Sequence, residues 1–175
     1  MTNRIFTPFP ILKTDRLILR QLVVTDDNEI FALRSDDSVN KYLGRHPGKS
    51  IEDAKSFIQT ITENVKKNDS IYWAISLSGK LIGTICLFEF ADDHSKAEIG
   101  YELLPVYQGK GLMQEAASKV LEFAFQHIGL NSIEAYTHSE NYNSTRLLEK
   151  FNFKKQLPSE DNSDKSVFVF KLSKS

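Results

Sequence analysis

The sequence predicts a single domain of the α/β (α+β) class, a mixed sheet of about seven strands with helices on its faces. Three observations predict it. Residues 54–65 and 113–124 place apolar side chains at helical spacing, residues 71–104 read as consecutive strands, and strands and helices alternate through the last third. At 175 residues the chain fits one domain and buries about two thirds of its unfolded surface without a staple.

The elements follow in order. Residues 1–13 carry two prolines and read as a loosely attached arm. Residues 16–22 alternate as a strand. Thr25-Asp26-Asp27 starts a helix with Ile30, Phe31 and Leu33 at helical spacing. Ser50-Ile51-Glu52-Asp53 opens a second helix whose apolar face is Ala54, Phe57, Ile58, Ile61 and Val65. Ser78-Gly79 is a two-residue hairpin signal between strands 71–77 and 80–90. The second of these is apolar at both parities, so it is expected to be covered on both faces. A further strand, 96–104, leads through Pro105 to Gly109-Lys110-Gly111. A helix follows with the stripe Met113, Ala116, Ala117, Val120, Leu121 and Ala124. Residues 132–139 read as a strand, 143–151 as a short helix, and Phe153 and 167–172 as the last strands.

Composition narrows the function. An apolar content of 41% with 11% aromatics fits a packed core. Twenty-two basic and 23 acidic residues, net charge −1, argue against a nucleic-acid binder, which needs a basic face. Cys86, the single cysteine, has no disulfide partner and reads as core. The four histidines, His46, His94, His127 and His138, lack metal-ligand spacing. No apolar stretch approaches the roughly 20 residues of a membrane helix, and the first ten residues lack a signal core. A cytoplasmic location is expected.

Two segments carry chemistry. Tyr107-Gln108-Gly109-Lys110-Gly111 joins a strand to a helix. Its glycines let consecutive amides converge, and the helix directs its free N–H groups and positive dipole end there. A pyrophosphate suits such a turn, although it is neither a Walker loop nor GxGxxG. In the preceding strand Glu98, Gly100 and Glu102 share one face. The carboxylates of Glu98 and Glu102 are candidates to take a proton from an attacking amine, directly or through water. Gly100 marks a bulge or a close approach.

Together, IGTICLF, AEIGYELLPVYQGKGLMQEA and SENYNSTRLLEKFNF resemble the GNAT superfamily of N-acetyltransferases. TDRLILRQL adds a likeness to its Rim-type branch, which acetylates N-termini of ribosomal proteins. The likeness covers about residues 13–155. It implies a mostly antiparallel sheet, acetyl-CoA as cosubstrate and no metal. Its phosphate motif, Gln/Arg-x-x-Gly-x-Gly/Ala, is met at Gly109 and Gly111 but has Val106 at its first position. The resemblance implies a cradle from Gln108 through Gly109, Lys110, Gly111 and Leu112 to Met113, with the pantetheine arm along a strand that ends in Leu103 and Leu104.

It further implies that Asn141 bonds the pantetheine amide, with Asn143 and Ser144 beside it. Asn141, Asn143 and Ser144 are equally helix-capping residue types. Leu148 stands where many members carry the tyrosine that protonates the leaving thiolate, and Ser144 is expected to serve instead. Asn152 replaces a glycine and tolerates a left-handed backbone. Lys110, Arg146 and Lys150 could meet the 3′-phosphate. Glu98 is the expected base and Ser144 the expected partner of the sulfur.

The acceptor is a primary amine, with the N-terminus of a protein or peptide expected. Two other readings stand beside it: a small-amine acetyltransferase acting on a polyamine or aminoglycoside, and a CoA-binding sensor without turnover. A polyamine site would draw on Glu89, Asp92, Asp93 and Glu102. The acceptor pocket is expected from the first two helices and the loops 39–46 and 157–165, with Tyr42, Trp73 and Phe90 as candidate lining. Homodimers are common among such folds.

Overall fold

The computed structural model describes residues 4–158 and 164–175. Eight strands form one sheet in the order β1-β2-β3-β4-β5-β6-β8-β7. They are β1 (Leu12–Lys13), β2 (Leu17–Gln21), β3 (Ile71–Leu77), β4 (Lys80–Phe88), β5 (Lys96–Leu103), β6 (Ser132–His138), β7 (Lys154–Lys155) and β8 (Val167–Ser173). The helices are α1 (Asp27–Ser35), α2 (Asp37–Asn40), α3 (Ile51–Lys66), α4 (Leu112–Phe123) and α5 (Tyr142–Lys150).

The sheet is mixed and mostly antiparallel: β5 and β6 are parallel and every other adjacent pair runs antiparallel. Adjacent residues of a strand face opposite sides of the sheet. Tyr72 packs edge-on against Phe57 of α3 at 5.7 Å, and Trp73 against Phe123 of α4 at 5.6 Å. Helices α3 and α4 therefore cover opposite faces.

Local chemistry explains the elements. Ser78 and Gly79 both take positive φ (50° and 82°), the geometry of a tight hairpin whose twist matches its strands. Ser50 Oγ accepts the Asp53 amide at 3.1 Å and Asp53 Oδ2 accepts the Lys49 amide at 2.9 Å, which fixes the start of α3. The face of α3 is buried at Ala54, Ile58, Ile61 and Val65. Strand β4 is buried from Leu81 to Leu87, as its doubly apolar pattern predicts.

The mixed, mostly antiparallel sheet is as expected, with eight strands among the described residues because Leu12–Lys13 adds a short edge to β2. The residues expected as a loose arm are anchored at Phe6 and Pro10, while Ile5 and Ile11 stay exposed. Phe6 is buried and its amide meets Asn68 Oδ1 at 2.8 Å, while the Pro10 carbonyl accepts Trp73 Nε1 at 2.8 Å. Large aromatics in a proline-bearing segment supply apolar area that propensity alone does not register.

The feature that positions the site is the parting of β5 from β6. They pair only from Lys96↔Ser132 to Glu98↔Glu134. Beyond that point β6 stays paired with β8 as far as His138 and β5 stays with β4 as far as Leu103, so a wedge opens between the middle strands.

Candidate active site

A cavity of about 430 Å³ borders β5 beyond its last pair with β6, lined there by Tyr101, Glu102 and Leu103. Tyr101 and Glu102, neighbours in sequence and on opposite sides of the sheet, both line it. The cavity thus runs through the sheet, from the α4 side to the side covered by α1 and α3.

On the α4 side the turn that leads into the helix offers mainly backbone. Gly109 and Gly111 both hold left-handed φ (74° and 75°), a conformation that costs an L-residue roughly 1–2 kcal/mol. Gly111 precedes α4, whose N-terminus has no side-chain cap, so its first amides and dipole end face the cavity mouth. Gln108, Gly109, Gly111, Leu112 and Met113 line the cavity. These residues fit a diphosphate, and the edge of β5 left without a β6 partner fits an extended amide-bearing arm. Gln108 Nε2 already donates to the Leu103 carbonyl at 2.8 Å.

Arg16, at the entry to β2, fastens this turn from behind. Its Nε meets Glu115 Oε2 at 2.7 Å, its amide meets Glu115 Oε1 at 2.8 Å, and Nη1 donates to the Lys110 carbonyl at 3.1 Å. Thr14 Oγ1 also donates to Glu115. Together these bonds hold the Glu115 carboxyl below its ordinary value against the opposing effect of desolvation. A Cβ on Gly111 would lie 3.6 Å from Arg16 Nη2. Val106, the departure at the motif's first position, is 71% exposed and contributes no anchor, while Arg16 brings a guanidinium to the same turn from another strand. Sequence reading missed it because it lies 95 positions from Gly111.

Helix α5 closes the same side. Asn141 Oδ1 caps it by accepting the Ser144 amide at 3.3 Å, and Asn141, Asn143, Ser144, Arg146 and Lys150 line the cavity. Ser144 Oγ and Tyr101 Oη are hydrogen-bonded at 2.7 Å. Burial pushes the Tyr101 phenol up to about 12, with the Ser144 bond opposing, so it stays protonated at neutral pH. Leu148 is buried in the core, and the phenol near Ser144 comes from β5. Asn152 has φ 65°, the left-handed conformation expected of it.

The opposite side is made of side chains. Glu102 is nine-tenths buried, its Oε2 in ion contact with Arg45 Nη2 at 2.7 Å but without hydrogen-bond alignment. Thr84 Oγ1 donates to its Oε1 at 3.4 Å. From the segment around α2, Ser38, Val39, Tyr42 and Leu43 line the cavity, and Tyr42 stacks on His138 at 5.2 Å.

Several sequence-predicted residues lie elsewhere. Glu98 does not line the cavity. It sits where β5 and β6 are still paired, opposite Glu134, and burial, with the charges of Glu89 and Glu134, holds its carboxyl above the ordinary value. Strand parity places Glu98 and Glu102 on one face but cannot tell where the neighbouring strand departs. Leu104 and Lys110 flank the cavity without lining it. Gly100 is explained by packing: a Cβ there would lie 3.2 Å from Cys86 Sγ and 3.3 Å from Phe88 Cε1. Cys86 is buried, its thiol pushed up to about 12 by burial. Trp73 is buried in the core and Phe90 packs on Phe6 at 6.0 Å. Within the expected loop 157–165, residues 159–163 lie outside the described residues. Among the described residues no acidic, histidine or cysteine cluster could hold a metal, and no helix is long and apolar enough to cross a membrane.

Residues 16–154 match the acetyltransferase (GNAT) domain family. The chain belongs to the GNAT family. It is an N-acetyltransferase of this type, and the uncharacterized N-acetyltransferase YoaA of Bacillus subtilis (strain 168) is 43% identical over 150 residues, 85% of each chain. Spermidine N(1)-acetyltransferase of Escherichia coli (strain K12) is 23% identical over 135 residues, covering 77% of this chain and 71% of that one. Among solved structures, the ribosomal L7/L12 alpha-N-protein acetyltransferase RimL in complex with coenzyme A superposes with a TM-score of 0.83 at 16% identity, covering 94% and 98% of the two chains. At that identity the likeness to RimL is one of fold. In this GNAT chain the amide-lined turn, the Tyr101–Ser144 pair and Glu102 all border one cavity.

Proposed function

We propose that the chain transfers an acetyl group from acetyl-CoA to the N-terminal amine of a protein or peptide by direct attack of the amine on the thioester. The observation that carries this reading is the continuity of one cavity from the Gln108, Gly109 and Gly111 turn, past Ser144 and Tyr101, to Glu102. An α-amine titrates near pH 8 and a thiol near 8.5, so neither proton movement is steep at neutral pH and orientation supplies much of the rate.

In this reading the turn and the first amides of α4 hold the diphosphate, and Asn141 and the free edge of β5 hold the arm. Tyr101 donates to Ser144 Oγ, which leaves the serine hydroxyl free to donate to the departing sulfur. Glu102 takes the role expected of Glu98: it lies at the cavity, orients the ammonium and receives its proton. A polyamine is the weaker alternative. Of Glu89, Asp92, Asp93 and Glu102, only Glu102 lines the cavity, and Arg45 already meets it, so little negative charge is left for a second ammonium.

Thiol release from acetyl-CoA with peptide N-termini, spermidine and an aminoglycoside tests the reading. Release with peptides is expected. Release with spermidine alone would replace the proposed acceptor, and coenzyme A binding without release on any amine would make the chain a sensor. Ser144→Ala and Glu102→Gln are each expected to lower kcat/KM by about tenfold or more, and Glu98→Gln by less. The reverse order would restore Glu98 as the base.

A further inference from the structure

Residues paired across parallel strands point to the same side of a sheet, and side chains alternate along each strand. Glu98 pairs with Glu134 just before β5 and β6 part. Glu102 and His138, each four positions further on, therefore project from the parted strands on the side covered by α1 and α3. One segment reaches both. Arg45 Nη2 meets Glu102 Oε2 on β5 at 2.7 Å, and the Tyr42 ring stacks on the His138 imidazole at the end of β6, with 5.2 Å between centroids and 28° between planes. Residues 41–50 carry neither helix nor strand. Their backbone is tied to α1 and α2, by the Leu43 amide on the Asn40 carbonyl at 3.0 Å and the Gly48 amide on the Arg34 carbonyl at 2.9 Å, while Tyr42 and Arg45 fasten them to the sheet. The segment thus bridges the two middle strands where they no longer pair.

Tyr42 lines the cavity, as do its neighbours Val39 and Leu43, whereas His138 does not. The imidazole is itself held, because its Nδ1 accepts the Glu140 amide at 3.2 Å. A stacked partner fixed in this way favours one orientation of the tyrosine ring over the other rotamers open to it. We propose that His138 is a positioning residue for the acceptor: it touches neither substrate and holds Tyr42 as a fixed wall, against which the acceptor lies beside Glu102. This rests on the acetyl-transfer reading above. The turn and α5 that serve acetyl-CoA lie on the α4 side, so loss of the stack falls on acceptor binding and spares the donor.

The test is steady-state thiol release from acetyl-CoA, with whichever of the peptide N-termini, spermidine and aminoglycoside the parent uses best. His138→Asn keeps an oxygen for the Glu140 amide but loses the ring, and His138→Phe keeps the ring but loses the acceptor nitrogen. His138→Asn is expected to raise KM for the amine about fivefold, with kcat and KM for acetyl-CoA moving less than about twofold. His138→Phe is expected to stay within about twofold of the parent in all three. Tyr42→Ala is expected to raise KM for the amine as well, and His138→Asn added to it should change that constant by less than about twofold, since the two residues act as one unit. A full fivefold effect of His138→Asn persisting beside Tyr42→Ala overturns the proposal, as does His138→Phe impaired as much as His138→Asn. An unchanged amine KM in Tyr42→Ala overturns it too, even where His138→Asn folds poorly. Each of these outcomes leaves acetyl transfer standing, whereas no release on any amine overturns both.

Discussion

The two sides of the sheet build their halves of the cavity from different materials. On the α4 side the turn into α4 offers main-chain amides, held open by Gly109 and Gly111 at left-handed φ and by an uncapped helix end. On the other side they are side chains, Glu102 of β5, itself paired with Arg45, and Ser38, Val39, Tyr42 and Leu43 from the segment around α2. A backbone site is specified by residues adjacent in sequence and depends on the absence of side chains. A side-chain site is specified by residues tens of positions apart and depends on their presence. The first suits a ligand part common to every turnover, and the second suits the part that distinguishes one acceptor from another.

Gly111→Val tests this difference most severely. Left-handed backbone at a β-branched residue costs about 2 kcal/mol or more, and the strain falls on the turn. Affinity for coenzyme A, measured by calorimetry, is expected to fall by about 30-fold, while the acceptor preference stays as in the parent. A fall below threefold would mean that side chains hold the donor. Arg16→Gln comes next. It removes the Glu115 ion pair and the bond to the Lys110 carbonyl but leaves the glycines in place. KM for acetyl-CoA is expected to rise about fivefold, with kcat moving less, since exposed pairs contribute modestly. Arg16→Lys should recover only part, because a lysine cannot reproduce the forked contact. An unchanged KM would return Arg16 to a surface ion pair.

The same division explains what the sequence revealed. Gly109-Lys110-Gly111 before a regular apolar stripe is local, and so is Ser50 three residues ahead of Asp53. Both turn and cap are legible because their partners lie within a few residues. The stripe of α4 was legible for the same reason: Ala116, Ala117, Val120 and Leu121 are buried as their spacing predicts. Arg45, Arg16 and Tyr101 were not legible as site residues. Nothing at position 45 signals that it meets position 102, and alternation along β5 points Tyr101 away from Glu102 without showing that β6 departs and exposes both. Alternation alone leaves Glu98 and Glu102 equivalent on their shared face. The extra strand β1 escaped because two residues carry no periodicity.

The smallest expected effect concerns the point where the two sides meet. Tyr101 approaches Ser144 from the α4 face, while its sequence neighbour Glu102 faces Arg45. If the phenol serves only to orient the serine hydroxyl, Tyr101→Phe removes one hydrogen bond of ordinary net worth, about 0.5–1.5 kcal/mol, and kcat should fall about threefold with KM for both substrates nearly unchanged. Burial has raised the phenol to about 12, so it remains protonated across an assay range of about pH 7 to 9, and the ratio of parent to variant kcat should be flat there. A ratio that falls as pH rises would mean that Tyr101 ionises within the range and itself supplies the proton to the sulfur. In that case Ser144→Ala should cost less than Tyr101→Phe, and the roles of the pair would be exchanged.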